Sequence, residues 1–581
     1  MPPGTSTAAP PLTVQGPEPS SRLALFPPLT LVLLLGPVVA GLVGTLLPAF
    51  GWLPALGRSE FALEPWQRLL EAPGLATSLR LSLTTGLAAT LLSLGLVVGF
   101  CAAWHGTPWF IRIQRLLSPL LAVPHVAVAF GLAFLLAPSG WLLRLLSPWA
   151  TGFQRPPDWL LINDPWGLAL VAGLVVKEVP FLLLMTLAAL SQADAARTRT
   201  VARTLGYGPT VGWLKAVLPR IYPQIRLPVL AVLAYSLSVV DMALVLGPST
   251  PPPLAVQLLR WLNDPDLSLR TVACAGALLQ LGLVAAMILL WWAGERLVGR
   301  LGRAWVQAGG RGRGDRPVRV ALAVAVMLCC ALVLLGLTGM AIWSVADFWR
   351  YPDALPGSFS LYHWQRYLPG AALPALNTVT VGVGAALVAG ALTLGCLEHE
   401  ARRGRSMSNR ALWLLYLPLL MPQVAFLFGI QVLLVALDLD GRWAALLWTH
   451  LVFVLPYVFL SLADPYRAWD ERYARIGRCL GAGPQRVWWQ IKLPMLLRPL
   501  LIALAVGFAV SVDQYLPTLF AGAGRFPTLT TEALALSAGG DRRLIGVYVL
   551  LQMLLPLLAF TLAMVLPAWV FRRRRGLQVN L

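Results

Sequence analysis

Four ionisable side chains stand inside or at the edge of long apolar runs: Lys177, Glu178, Asp241 and Asp513. A charge at the centre of a membrane-spanning helix costs about 2.5–3.5 kcal/mol on insertion scales, so such residues face a partner or a water-filled cavity. Two roles are open to them. Lys177 and Asp241 can pair across neighbouring helices, which is structural. Alternatively, Asp241 and Asp513 flank a path with Ser238, Ser511 and Gln514, and two carboxylates there favour a cation. Lys177 and Glu178 are adjacent, so on one helix they point about 100° apart and cannot share a partner.

A second constellation occurs twice. Leu205-Gly206-Tyr207-Gly208-Pro209 runs through eight residues to Leu218-Pro219, and Leu480-Gly481-Ala482-Gly483-Pro484 runs through eight residues to Leu493-Pro494. Both copies are polar and Arg-rich, and both lie between apolar runs. Gly206 and Gly481 suit a chain reversal, because glycine accepts positive φ. Pro209 and Pro484 suit the first turn of a helix, where a missing N–H is harmless. Trp213, Trp488 and Trp489 supply an apolar anchor. The Leu-Pro pair is expected to end the helix, since a residue before proline is pushed off the α region. One such helix reads equally well as an interfacial helix at the headgroups. Two equivalent copies favour two contact points for a partner in the water.

Other chemistries lack their residues. None of the three lysines follows a glycine, so there is no P-loop; the Gly-rich stretch 309–314 reads as linker. The six cysteines are scattered without a CxxC pair, and read as small buried hydrophobes rather than disulfide or metal ligands. The five histidines share no catalytic or metal-ligating spacing, which argues against a membrane enzyme. The net charge of +20 comes without a basic module interleaved with aromatics, so nucleic acid is not an expected partner.

The elements that must position these residues are membrane helices. The 581 residues are 58% hydrophobic and 12% charged, and the mean hydropathy is +0.72. Soluble domains are about 45–50% apolar and about 25% charged. Apolar runs long enough to cross a ~30 Å hydrocarbon core recur throughout, and they are continuous rather than alternating, which excludes a barrel. Twelve spans are expected, near 24–48, 76–103, 116–137, 166–190, 227–248 and 271–293, then 320–345, 373–396, 411–436, 443–463, 499–520 and 546–570. Well over twice as many Lys and Arg fall on one set of alternating loops as on the other. That bias places both termini and both repeated loops in the cytoplasm. The first apolar run is too long for a signal-peptide core.

The repeat extends beyond the loops. Pro124-His125-Val126-Ala127 with Phe130-Gly131 matches Pro422-Gln423-Val424-Ala425 with Phe428-Gly429. Pro180-Phe181 matches Pro456-Tyr457, and Ser238-Val239-Val240-Asp241 matches Ser511-Val512-Asp513. The expected fold is an all-α polytopic membrane protein of about twelve transmembrane helices, arranged as two parallel six-span repeats with pseudo-two-fold symmetry. Its expected divisions are a disordered cytoplasmic tail (1–23), a first repeat (24–295), a solvated cytoplasmic linker (296–319), a second repeat (320–571) and a basic tail (572–581).

These loops resemble the signature of the membrane permeases of binding-protein-dependent ABC importers: Glu-Ala-Ala, three residues, Gly, nine residues, Ile, one residue, Leu-Pro. Gly206, Ala216 and Leu218-Pro219 take these places in the first copy, and Gly481, Ile491 and Leu493-Pro494 in the second. The opening triplet departs from the pattern in both, as Thr200-Val201-Ala202 and Arg475-Ile476-Gly477. The resemblance covers about 70–300 and 370–570. It implies a fused inner-membrane permease, an importer subunit that forms the translocation path. Each loop would dock on a cytoplasmic ATPase subunit, two copies in all, which bind the ATP; this chain itself has no cofactor. A periplasmic or extracellular substrate-binding protein would dock opposite, around segments 138–165 (Trp141, Trp149, Trp159) and 521–545. The C-terminal half, with Asp513-Gln514-Tyr515-Leu516-Pro517, looks closest to fused permeases of the thiamine and ferric-iron type. Sulfate, molybdate and polyamine systems share the loop. The alternative is a secondary transporter driven by an ion gradient, without an ATPase.

Overall fold

The computed structural model describes residues 22–312, 315–404 and 407–572. Most of both tails, 1–21 and 573–581, lies outside the described residues, as do the expectations placed on them.

Among the described residues nine helices are long and apolar enough to cross a membrane. Three further pairs pass the same test together but bend by more than 40° at a short break, which gives up to twelve spans. The main helices of the first half are α1 (Phe26–Ala49), α2 (Leu75–Trp104), α3 (His125–Leu136), α4 (Leu168–Gln192), α5 (Leu218–Ser238), α6 (Asp241–Leu246) and α7 (Leu269–Gln307). Those of the second half are α8 (Arg316–Val345), α9 (Tyr362–Arg403), α10 (Val424–Ala436), α11 (Trp443–Arg467), α12 (Leu497–Val512), α13 (Leu516–Gly522) and α14 (Arg542–Val570).

The packing repeats with the sequence. α2, α4 and α5 pack on one another, and so do their counterparts α9, α11 and α12. The first helix of each half crosses over, so that α1 lies on α10 and α8 lies on α3. Both crossings are made by glycine. A Cβ on Gly44 would stand 2.8 Å from Gly429 Cα, and one on Gly336 would stand 2.8 Å from the Gly131 carbonyl carbon. Lipid is as apolar as leucine, so close backbone approach and dispersion, not water exclusion, hold membrane helices together. The repeated Phe-Gly pairs therefore mark the points where each half receives the other's first helix. Outside these crossings, hydroxyls on α2 and α9 do matched work. Ser82 accepts the Leu254 N–H at 2.9 Å and Thr378 accepts the Leu529 N–H at 3.0 Å, each opening a short helix (Leu254–Leu262 and Leu529–Leu536).

Several boundaries differ from the sequence reading. The run 116–137 is not one span: α3 starts only at His125, because Pro124 cannot donate within a helix that passes through it. The run 411–436 breaks by 92° before Val424, next to Pro422. The runs 227–248 and 499–520 break after Ser238 and Val512, at the two matched aspartates. Residues 296–319, where described, are mostly exposed, but most of them are helical. Helix-forming residues carry α7 on to Gln307, and α8 begins at Arg316. The end of α7 and the residues just after it touch the first repeated loop: the Gly208 N–H donates to the Arg311 carbonyl at 2.8 Å, and Lys215 Nζ reaches the Trp305 and Gly310 carbonyls at 2.8 and 2.9 Å. Trp141 is buried against Gly339.

The crossings give a direct test. Gly429→Leu or Gly131→Leu forces a side chain into the other half's backbone. Overpacking of this kind costs about 1–3 kcal/mol. A lowered thermal midpoint in detergent is expected, whereas Gly95→Leu, where a Cβ meets nothing within 4 Å, leaves the midpoint unchanged.

Candidate functional site

A helix broken within the hydrocarbon leaves N–H and C=O groups without intrahelical partners, and such breaks are tolerated only inside protein or beside a cavity. Three of the four intramembrane charges gather at the break that precedes α3. Asp513, at the C-terminal end of α12, accepts the His125 backbone N–H at 2.9 Å, while its other oxygen bonds the His125 ring at Nδ1. A carboxylate from the second half thus caps a helix N-terminus of the first, where negative charge is also favoured by the helix dipole. Lys177 on α4 donates to the Val123 carbonyl on the other side of the same break. Glu178 Oε1 lies 3.8 Å from His125 Nε2.

Asp241 stands beside this group at the start of α6. Tyr235 donates to its Oδ1 at 3.2 Å, and the Tyr235 and His125 rings lie 5.0 Å apart. His125, Lys177, Tyr235, Asp241 and Asp513 are all half-buried between fully buried neighbours. The result is a polar seam where the two halves meet.

The expected pairing of Lys177 with Asp241 does not form as an ion pair; Lys177 is held by the Val123 carbonyl instead. Nor do the other proposed path residues join the seam. Ser238 donates back to its own helix, at Ala234, over 2.8 Å. Ser511 and Gln514 are buried against His450: Ser511 Oγ is 2.7 Å from Nδ1, and Gln514 donates to the His450 carbonyl at 3.3 Å. Thr518 completes that site at 3.0 Å from Nε2. His125 and Tyr235 escaped the sequence reading. Their signal was a polar residue straight after an intramembrane proline, and a tyrosine two turns before an intramembrane aspartate.

The two repeated loops share their backbone. Gly206 and Gly481 adopt φ of +80° and +82°, and Pro209 and Pro484 each open a short helix. The segment Pro209–Ala216 meets α5 at 66°, and Pro484–Met495 meets α12 at 69°. The Leu-Pro pair behaves differently from expectation. Pro219 sits in the first turn of α5, where its missing N–H is harmless. In the second copy a π-helical turn, Trp488–Lys492, carries the segment past Leu493-Pro494, and the bend falls at Leu496. Trp213 is fully buried and Trp488 donates to the Tyr466 hydroxyl at 3.3 Å, so both are anchors. Trp489 is 58% exposed and is not. Leu205 and Leu480 also face outward, and Ile491 is half-buried. Beside the first loop, Arg199 donates to the His105 carbonyl; burial and then this guanidinium hold the His105 imidazole below its usual range.

Two crossed helical halves, a polar seam between them and a matched pair of bent loops define a membrane permease subunit of the ABC importer class. No protein-family model matches the chain. The inner membrane ABC transporter permease protein YnjC of Escherichia coli is 37% identical over 555 residues, covering 94% of this chain and 98% of that protein. The molybdenum transport system permease protein ModB of Mycobacterium tuberculosis is 31% identical over 130 residues, 20% of this chain and 49% of its own length. The spermidine/putrescine transport system permease protein PotC of Haemophilus influenzae is 23% identical over 169 residues, 29% and 65% respectively. The chain belongs to the ABC transporter permeases of the inner membrane. It is a multi-pass transport subunit that works with ATPase and binding-protein partners, which removes the case for a gradient-driven secondary transporter.

Asp513→Ala strips the α3 cap and an imidazole bond from the seam together. Hydrogen bonds to a charged group are worth about 1.5–3 kcal/mol, so a clear drop in the thermal midpoint is expected. Asp241→Ala removes one bond within one half and is expected to lose less. Equal losses contradict the cross-half role of Asp513.

Proposed function

We propose that the chain is a complete translocation unit in itself. Residues 24–295 and 320–571 act as the two halves, with both termini and both loops in the cytoplasm. Each loop docks one copy of a separate ATPase, and a substrate-binding protein docks on the periplasmic or extracellular face. What carries this reading is the shared loop geometry: a positive-φ glycine, a proline-opened helix and a bend of 66° or 69°, at equivalent places in both halves. Leu480 and Trp489, 81% and 58% exposed, offer the second ATPase copy an apolar grip. Leu205 offers the first copy a similar one.

The translocation path then follows the seam, with Asp241 and Asp513 as its lining. Three carboxylates stand there against Lys177 and His125, a balance that suits a solute without net negative charge. When the halves separate, the bonds between His125 and Asp513 must open, so the same residues that hold the seam also gate it.

Docking is tested by purifying the chain with its ATPase. Leu205→Asp combined with Trp489→Asp is expected to lower the amount of ATPase retained at least tenfold while the thermal midpoint of the chain stays unchanged. Full retention contradicts docking at these loops. Asp241→Asn with Asp513→Asn is expected to keep the ATPase bound and to abolish its stimulation by the loaded binding protein. Undiminished stimulation contradicts a path along the seam.

A further inference from the structure

The second docking segment holds a buried ionic joint that the first lacks. Lys492 lies two residues before Pro494, and its counterpart two residues before Pro219 is Val217. Val217 is buried, and with Trp213 it belongs to an apolar face by which the first short helix packs on α2. The second segment is more open. Pro484, Gln485 and Arg486 are exposed, and its polar attachment to α9 and α11 runs through Lys492 and Trp488. Lys492 is buried, and its Nζ donates to Glu398 Oε2 on α9 at 2.9 Å.

The rest of the joint completes Glu398. The Tyr466 hydroxyl donates to the same Oε2, and Arg402 Nε donates to Oε1 at 2.8 Å. The Lys492 ammonium sits 4.1 Å from the Tyr466 ring centroid and 5.2 Å from that of Trp469, both cation–π distances. Trp488, in the same π-helical turn as Lys492, donates to the Tyr466 hydroxyl. One carboxylate therefore ties together the docking segment, α9 and α11. A buried ion pair is a poor source of net stability compared with apolar packing of the same volume, but breaking it leaves an unpaired charge. Its effect is to make the parts move together. A fully satisfied buried network also fixes one geometry.

On the reading that this segment docks an ATPase, we propose that Glu398 and Lys492 are positioning residues: their bond converts displacement of the second docking segment into displacement of α9. The first half performs the same transfer by apolar packing on α2. The two ATPase sites thus drive the membrane helices through unlike joints, one ionic and one apolar.

The test uses the chain complexed with its ATPase in lipid nanodiscs. Spin labels are placed at Gln485→Cys on the docking segment and, separately, at Leu387→Cys, an exposed site on α9. Each is measured against a reference label at Leu91→Cys on α2, also exposed. Adding Mg and a non-hydrolysable ATP analogue should shift both distances in the otherwise unsubstituted complex. In Lys492→Met and in Glu398→Gln the Gln485 distance should still shift, while the Leu387 shift falls by at least half. Lys492→Arg should restore it. A purely structural role for the pair leaves the two shifts linked, so a Leu387 shift in Lys492→Met equal to the unsubstituted one overturns the joint alone. If neither label moves in the unsubstituted complex, the docking reading fails, and the joint fails with it.

Discussion

Inside hydrocarbon, every backbone N–H and C=O freed by a helix break must find a partner within the protein. This chain breaks its spans repeatedly, at Pro124, at Pro422, after Ser238 and after Val512. The partners it supplies at the first of these breaks are charged side chains from two different helices, Lys177 on one side and Asp513 on the other. Asp513 comes from the opposite half, so satisfying a local backbone requirement also joins the two halves. The seam's charges and its place between the two halves follow from that single constraint.

Around the seam, the arrangement is two-fold in its backbone and less so in its side chains. The crossed first helices, the glycine contacts and the hydroxyl caps at Ser82 and Thr378 all come in pairs. The repeated loops keep nearly equal bends but not equal surroundings. The end of α7 and the residues just after it meet the first loop through Trp305, Gly310 and Arg311, while nothing lies within 4 Å of a Cβ built on Gly481 or Gly483 in the second. The residues that follow α7 therefore stand beside the first loop, and the side chains around the two loops differ.

Much of this was legible in the sequence because membrane helices, their number and the matched loops are written in residue type and spacing. Gly206, Gly481, Pro209 and Pro484 occupy the conformations their chemistry requires. Three things were hidden. The breaks at Asp241 and Asp513 fall within continuous apolar runs, where hydropathy alone shows no interruption. The partner of Lys177 is a carbonyl, and a backbone group leaves no mark in a list of side chains. Glu398 and Lys492 are 94 residues apart, and each alone reads as an ordinary charge at a span end. Ser511 and Gln514 lie apart from the seam for a related reason: each bonds a buried histidine on the neighbouring helix, and that distant partner leaves no mark near Asp513 in the sequence.

The central claim is that one copy of this chain carries two equivalent docking loops and so forms the whole membrane part of its transporter. Native mass spectrometry of the complex purified with its ATPase tests it most directly. The account predicts one copy of this chain with two copies of the ATPase. A complex with two copies of this chain, or with a single ATPase that saturates it, would contradict the claim.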